Sequence, residues 1–218
     1  MKFPSKLRGC TAAIAVAAIG LVACAESTGP GTAQLTILLT DDPGDVIEAW
    51  VTIDQIILVP GENGEEENGG GLLVLTDEDW TGDLLTLQDE GEFDTLVQDA
   101  VIPAGFYEQL RFVIPDACIV VETDVVDVFD VFATPGYVAI GEDDAECNEP
   151  TGSLQTPSFA ETGVKVILPG DTGMELEGVE SLTADFEVSQ SFGQLAGDSG
   201  MWVMTPVIIA TETEAATE

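Results

Sequence analysis

"VIEAWVTIDQIILVP" spans residues 46–60, and its reading decides the fold. Ile47, Ala49, Val51 and Ile53 fall on one side of an extended chain; Glu48, Trp50, Thr52 and Asp54 fall on the other. That period of two belongs to a half-buried β-strand, because successive side chains of a strand point to opposite faces. Past Asp54 the phase is lost, which predicts a bulge there.

Working outward, "QLTILLT" (34–40) reads as the preceding strand and "LLVLT" (72–76) as the returning one, so that 46–76 forms a long hairpin. Between them "GENGEEENGGG" (61–71) is a low-complexity acidic loop with nothing to bury. "LLTL" (84–87) is a short candidate. "FDTLVQDAVIPAGFYEQLRFVIP" (93–115) predicts a modest helix or strand, a Pro-Ala-Gly turn, then a strong strand. "CIVVE" (118–122), "YVAI" (137–140), "GVKVILP" (163–169), "VESLTADFEVSQSF" (179–192) and "MWVMTPVIIAT" (201–211) complete the strand set. "DVVDVFDVF" (124–132) stays open: Asp124, Asp127 and Asp130 recur at helical spacing, while the β-branched content favours strand. No long amphipathic helix and no fixed-period repeat is visible. Many short strands separated by Gly/Pro turns predict an all-β sandwich.

The chain of 218 residues begins differently. A basic stretch with Lys2, Lys6 and Arg8 leads into an Ala-rich apolar run from Thr11 to Ala23. This is the layout of a secretory signal, too short for a good membrane span. Leu21-Val22-Ala23-Cys24 resembles the lipobox of bacterial lipoproteins. The resemblance implies cleavage before Cys24, diacylation of its sulfur and acylation of the new amino group, with palmitate among the acyl chains. Two or more acyl chains anchor stably where one holds only marginally. Residues 1–23 are thus expected as a lipoprotein signal peptide and 24–33 as a flexible tether of small polar residues, Gly and Pro. Residues 34–211 are expected as one sandwich domain and 212–218 as a frayed acidic tail. Ala25 follows the cysteine where Asp would resemble an inner-membrane retention signal, so export to the outer membrane or cell surface is favoured.

The formal net charge is −36, from 41 acids against five basic residues. Beyond residue 23 only Arg111 and Lys165 remain as cations. Such a surface repels phosphate backbones, which excludes nucleic acid as a partner. It attracts cations and repels itself, and salt relieves that repulsion. The acidity fits either saline surroundings or specific divalent-cation binding. Cys118 and Cys147 form an even pair in an oxidising compartment and predict a disulfide.

Several stretches taken in order resemble a known family: "LTILLTDDPGDVIEAWVTIDQIIL" (35–58), "DLLTL" (83–87), "IPAGFYEQLRFVI" (102–114), "TPS" (156–158) with "TGVKVIL" (162–168), "LTADFEVSQSF" (182–192) and "MTPVII" (204–209). The set is similar to the domain of unknown function 4382, found in bacterial and archaeal lipoproteins and surface proteins. The resemblance implies a β-sandwich of prealbumin-like or carboxypeptidase-regulatory-like kind. It implies no activity, and it brings no catalytic residues. The acidic loop 61–71 and the region 116–155 look like local elaborations.

For chemistry the residues offer little. The chain has no histidine, so neither a Ser-His-Asp nor a Cys-His arrangement exists. No Gly-rich phosphate loop and no GxSxG is present. A glycosidase-type carboxylate pair needs only two acids, and with so many the spacing tests nothing. No catalytic residue is assigned and a non-enzyme is expected.

"LLTDDPGD" (38–45) holds the candidate metal ligands Asp41, Asp42 and Asp45. Pro43 and Gly44 make the segment a turn by a stated mechanism, fixed φ followed by tolerated positive φ. The alternative is calcium, which takes six to eight oxygens from such loops. "GEDDAECNE" (141–149) carries the same ambiguity. Asp185 needs solvent or a partner, and a carboxylate is expected to pair with Arg111 or Lys165. Trp50, Trp80, Tyr107, Tyr137 and Trp202 read as core or hairpin residues before they read as a sugar-stacking surface. The leading expectation is a lipid-anchored, non-catalytic envelope module that binds an envelope protein or glycan. A calcium- or salt-stabilised carbohydrate-binding accessory comes second and a carboxylate glycosidase third.

Overall fold

The computed structural model describes residues 31–42, 46–61, 71–88, 92–123, 125, 128–156, 162–170, 172–195 and 201–213, with backbone alone at 42 and 193–195. The chain 48–60 forms two strands, β2 (Glu48–Ile53) and β3 (Gln55–Pro60), divided at Asp54. Ala49, Val51 and Ile53 are buried, then Ile56 and Leu58, so the inward parity switches across Asp54. Both the alternation and the predicted break are therefore present. The Asp54 N–H still donates to the Val113 carbonyl at 3.1 Å, so pairing runs through the break.

The neighbouring strands break at the same level. β7 (Gly105–Val113) pairs with β3, and after Ile114-Pro115 the chain continues as β8 (Asp116–Glu122), which pairs with β2. On the other flank β4 (Leu73–Thr76) pairs with β3 and β5 (Trp80–Asp83) with β2. Three long antiparallel runs thus turn one common corner and pass from one sheet into another, as strands do at sandwich corners.

The remaining sheet centres on β1 (Thr32–Asp42). It lies antiparallel to β6 (Asp94–Pro103) and parallel to β13 (Val179–Glu187), and β16 (Ile208–Glu212) closes the far side. The seven-stranded sheet runs β14 (Phe192–Leu195), β15 (Met201–Met204), β10 (Gly152–Gln155), β9 (Phe129–Ala133), β8, β2, β5. The third runs β11 (Val164–Val166), β7, β3, β4, and β12 (Met174–Leu176) pairs with β7 at a different level from β11. Ile167, just after β11, exchanges backbone hydrogen bonds with β16, through its N–H to Ile208 and its carbonyl from Ala210, both at 2.8 Å. That joins the first and third sheets edge to edge.

One apolar core unites the inner faces. It takes Leu35, Ile37 and Leu39 from β1, Leu182 and Phe186 from β13, Leu58 from β3 and Phe112 from β7. Burying a side chain of this size contributes about 1.5–3 kcal/mol. A second, smaller cluster lies on the opposite face of the seven-stranded sheet: Cys118, Val120, Val131, Ala133, Tyr137 and Cys147.

Several expectations change. "LLTL" is a 3-10 turn, because the Asp83 side chain caps it by accepting from the Leu85 N–H. "YVAI" is loop: the Tyr137 N–H bonds to Thr134 in a turn and the ring is buried. For residues 94–103, read as helix or strand, the structure has the strand, since β1 offers them a ladder. "MWVMTPVIIAT" is two strands in two sheets, parted around Pro206, which has no N–H to donate. Within "DVVDVFDVF", Phe129–Ala133 starts a strand; Asp124 and Asp127 lie outside the described residues. The domain is also slightly wider than 34–211. Thr32 and Ala33 pair with Pro103 and Ile102, so the ladder claims part of the tether, and β16 runs on to Glu212. Residues 1–30, where the signal peptide and most of the tether are expected, residues 62–70 of the acidic loop and residues 214–218 lie outside the described residues. No helix among the described residues is long and apolar enough to cross a membrane.

Candidate functional site

Cys118 and Cys147 are bonded, with Cα atoms 6.1 Å apart. The bridge ties the loop after β9 onto the outer face of β8. Within that loop Asp144 is fully buried. Its carboxylate accepts from the N–H groups of Ile140 and Gly141, each at 2.8 Å, and from the Tyr137 hydroxyl at 3.1 Å. Burial alone pushes the Asp144 carboxyl up, but these donors outweigh it and hold the group below its ordinary value. Burial, then the Asp144 contact, pushes the Tyr137 hydroxyl up. Glu48 is raised by burial, against the Trp50 Nε1–H that it accepts at 2.9 Å, with Glu146, Asp83 and Asp144 adding repulsion. The acidic loop 141–149 is therefore, at its centre, a structural cap over the sheet. Nothing in its sequence marked Asp144 out from its acidic neighbours.

Among the proposed calcium ligands, Asp41 lies on the core face of β1 with Leu35, Ile37 and Leu39, at 6% exposure. It belongs to the strand. The Asp42 backbone continues the ladder opposite Glu187, while its side chain and Asp45 lie outside the described residues. No group of three or more His, Cys, Asp or Glu among the described residues is placed to hold a metal ion. Sodium chloride is expected to raise the melting temperature, and calcium at matched ionic strength to do no more. Asp42→Asn with Asp45→Asn should leave that response unchanged. A calcium-specific rise that disappears in the double variant would overturn this expectation. Asp185 is half-buried in β13, opposite Thr40 and Ile209.

The five large aromatic residues do not line one surface. Tyr107 is buried in the main core, Tyr137 in the smaller one. Trp50 packs on the smaller cluster, whereas Trp80 and Trp202 pack on the main one, from the other face of the sheet. Trp202 lies against Phe132 with ring centroids 5.1 Å apart. These rings are spent on packing.

The scarce cations are placed otherwise than expected. Arg111 and Lys165 are direct cross-strand neighbours on β7 and β11. Neither pairs with a carboxylate among the described residues. Arg111 donates from Nε (3.0 Å) and Nη2 (2.8 Å) to the side-chain oxygen of Gln109, and from Nη1 to the Thr162 carbonyl at 3.4 Å. Gln109 wins because it stands two residues away on the same strand, and the period of two puts both on one face.

Beside this pair a cleft of about 390 Å³ opens where β11 has left β7 and β12 has not yet joined it. Glu108, Gln109 and Lys165 line one part; Ile167, Leu168 and Thr172 line the rest. The β3–β7 ladder skips Glu108, pairing Val59 with Gln109 and Pro60 with Tyr107. This bulge turns Glu108 and Gln109 to the same side, the re-aiming that bulges provide. Gly173 closes the cleft against β7: its φ is +130°, and a Cβ there would stand 2.3 Å from the Tyr107 carbonyl oxygen.

The class of protein defined by fold and site is an all-β sandwich with a disulfide-pinned cap and a small cleft of mixed polar and apolar lining. The chain belongs to the family described as domain of unknown function (DUF4382), whose sequence model matches residues 32–206. No curated protein and no solved structure matches the chain.

Proposed function

We propose that this chain is a lipid-anchored, non-catalytic module of the cell envelope that binds a small or polymeric envelope ligand. The observation that carries the reading is the buried Cys118–Cys147 bridge. Disulfides persist in exported proteins and are rare in reducing compartments. The Leu21–Cys24 sequence supplies the anchor that an exported domain of this kind needs. The rest of the chain supports binding over turnover: it has no histidine, and a small cleft lies beside β7 where β11 and β12 part.

Cys24→Ser is expected to abolish acyl labelling and to move the protein from the membrane fraction to the soluble one. Fractionation of cells expressing the full chain reads the outcome. Unchanged partition of the variant would refute the anchor.

A further inference from the structure

The geometry points to the cleft between β11 and β12 as a site for a monocarboxylate sugar, a uronate, held at its carboxylate by Lys165. This deepens the binding role proposed above and rests on it. Three independent features lead here.

The first is the placement of charge. Forty-one acids surround five basic residues in the whole chain, and only Arg111 and Lys165 lie beyond the leader. Like charges directly opposite one another on neighbouring strands destabilise a sheet. In so acidic a chain each cation had carboxylates available, yet the two stand side by side and unpaired with any of them among the described residues. A local rule broken without evident compensation marks a functional position. A bound anion supplies that compensation.

The second is the orientation of Gln109. Two N–H groups of Arg111 take the amide oxygen of Gln109, so the oxygen faces the guanidinium. The amide –NH₂ is the end left to donate, and Gln109 lines the cleft. Arg111 thus acts as a positioning residue, while Lys165 and Gln109 present donors to the ligand. The bulge at Glu108 is what brings this face of β7 to the cleft.

The third is the lining itself. Ile167 is 56% exposed beside the cleft and Leu168 adjoins it, which suits the C–H face of a sugar ring. Thr172 and Gln109 suit hydroxyl groups, since each donates or accepts hydrogen bonds. The volume falls within the range of small-ligand pockets, about 300–1,000 Å³. The overall charge of −36 selects for the least charged anion, one carboxylate in preference to a sulfate or phosphate dianion.

The test is calorimetric titration of the full-length oxidised chain at fixed ionic strength. Sodium glucuronate is expected to bind with a Kd on the order of 1 mM and glucose at least ~10-fold more weakly. Lys165→Gln should weaken glucuronate by about tenfold or more, and Lys165→Arg should stay within about threefold of the parent, because a charge-assisted contact is retained. A thermal melt of each variant confirms that the fold is intact. Equal binding of glucose and glucuronate, no binding of glucuronate, or an unchanged Kd in Lys165→Gln would overturn the site. Acetate or sulfate binding as tightly as glucuronate would overturn the assignment to an acidic sugar. The two proposals fail separately: loss of the anchor reading shows in the Cys24→Ser fractionation, which does not depend on this titration.

Discussion

Replacing Cys118 and Cys147 together by Ala is expected to lower the stability of the fold by about 3–4 kcal/mol. The two residues are 29 apart in sequence, and cross-linking a loop of that size removes this much entropy from the unfolded chain. Both sulfurs also sit in the smaller apolar cluster, packed with Val120, Val131 and Tyr137. Truncation to Ala therefore thins that cluster as well as opening the loop. Urea denaturation of the parent, the parent under reductant and the double variant provides the measurement. The two perturbed proteins should unfold at lower urea, and the variant should no longer respond to reductant. Coincident midpoints for all three would show that the cap is held by packing alone.

Asp144→Ala is expected to cost about 3 kcal/mol, because it leaves the buried donors of Ile140, Gly141 and Tyr137 without their acceptor. The pH dependence carries an independent signature. Asp144 has its folded value below the ordinary 3.8, so the folded state binds fewer protons than the unfolded one near that pH. Its stabilisation is complete above 3.8 and is lost as pH falls through the lower, folded value. Glu48 works in the opposite sense. Its folded value lies above 4.5, so its contribution is present below 4.5 and lost as pH rises through the folded value. Below about pH 4 the variant should therefore lose stability less steeply than the parent. Parallel acid limbs in the two proteins would mean that Asp144 is not the group whose protonation weakens the cap.

The parts of the fold visible in the sequence were those governed by period. The alternation from Glu48 to Ile53, the break at Asp54 and the return at Leu73–Thr76 all follow from which residues can face a core. The disulfide was legible because Cys118 and Cys147 are the two cysteines of the sequence beyond residue 24. What the sequence hid were features decided by pairing. "WTGD", "GSLQ" and "MEL" are strands only because β2, β9 with β15, and β7 stand beside them. Strands of three or four residues carry too little pattern to declare themselves. The split of residues 201–211 between two sheets is likewise tertiary, with Pro206 as its one local hint. In the candidate site Lys165 and Arg111 attracted notice by scarcity, but their adjacency depends on the β7–β11 register. Gln109 carried no signal. A glutamine in a strand is unremarkable until an arginine fixes its amide.

The position of β1 bears on how the molecule carries load. This strand is the first described element, and it is central in its sheet, with the β13 ladder running from Gln34 to Asp42 and the β6 ladder from Thr32 to Leu39. A pull at residue 31 along the strand does not peel an edge, one hydrogen bond at a time. It loads both ladders in shear, so many bonds must fail together. Leu35, Ile37 and Leu39, locked into the core along the same strand, add friction to that sliding. The first described strand is thereby braced on both sides, which would suit the N-terminal anchor proposed above.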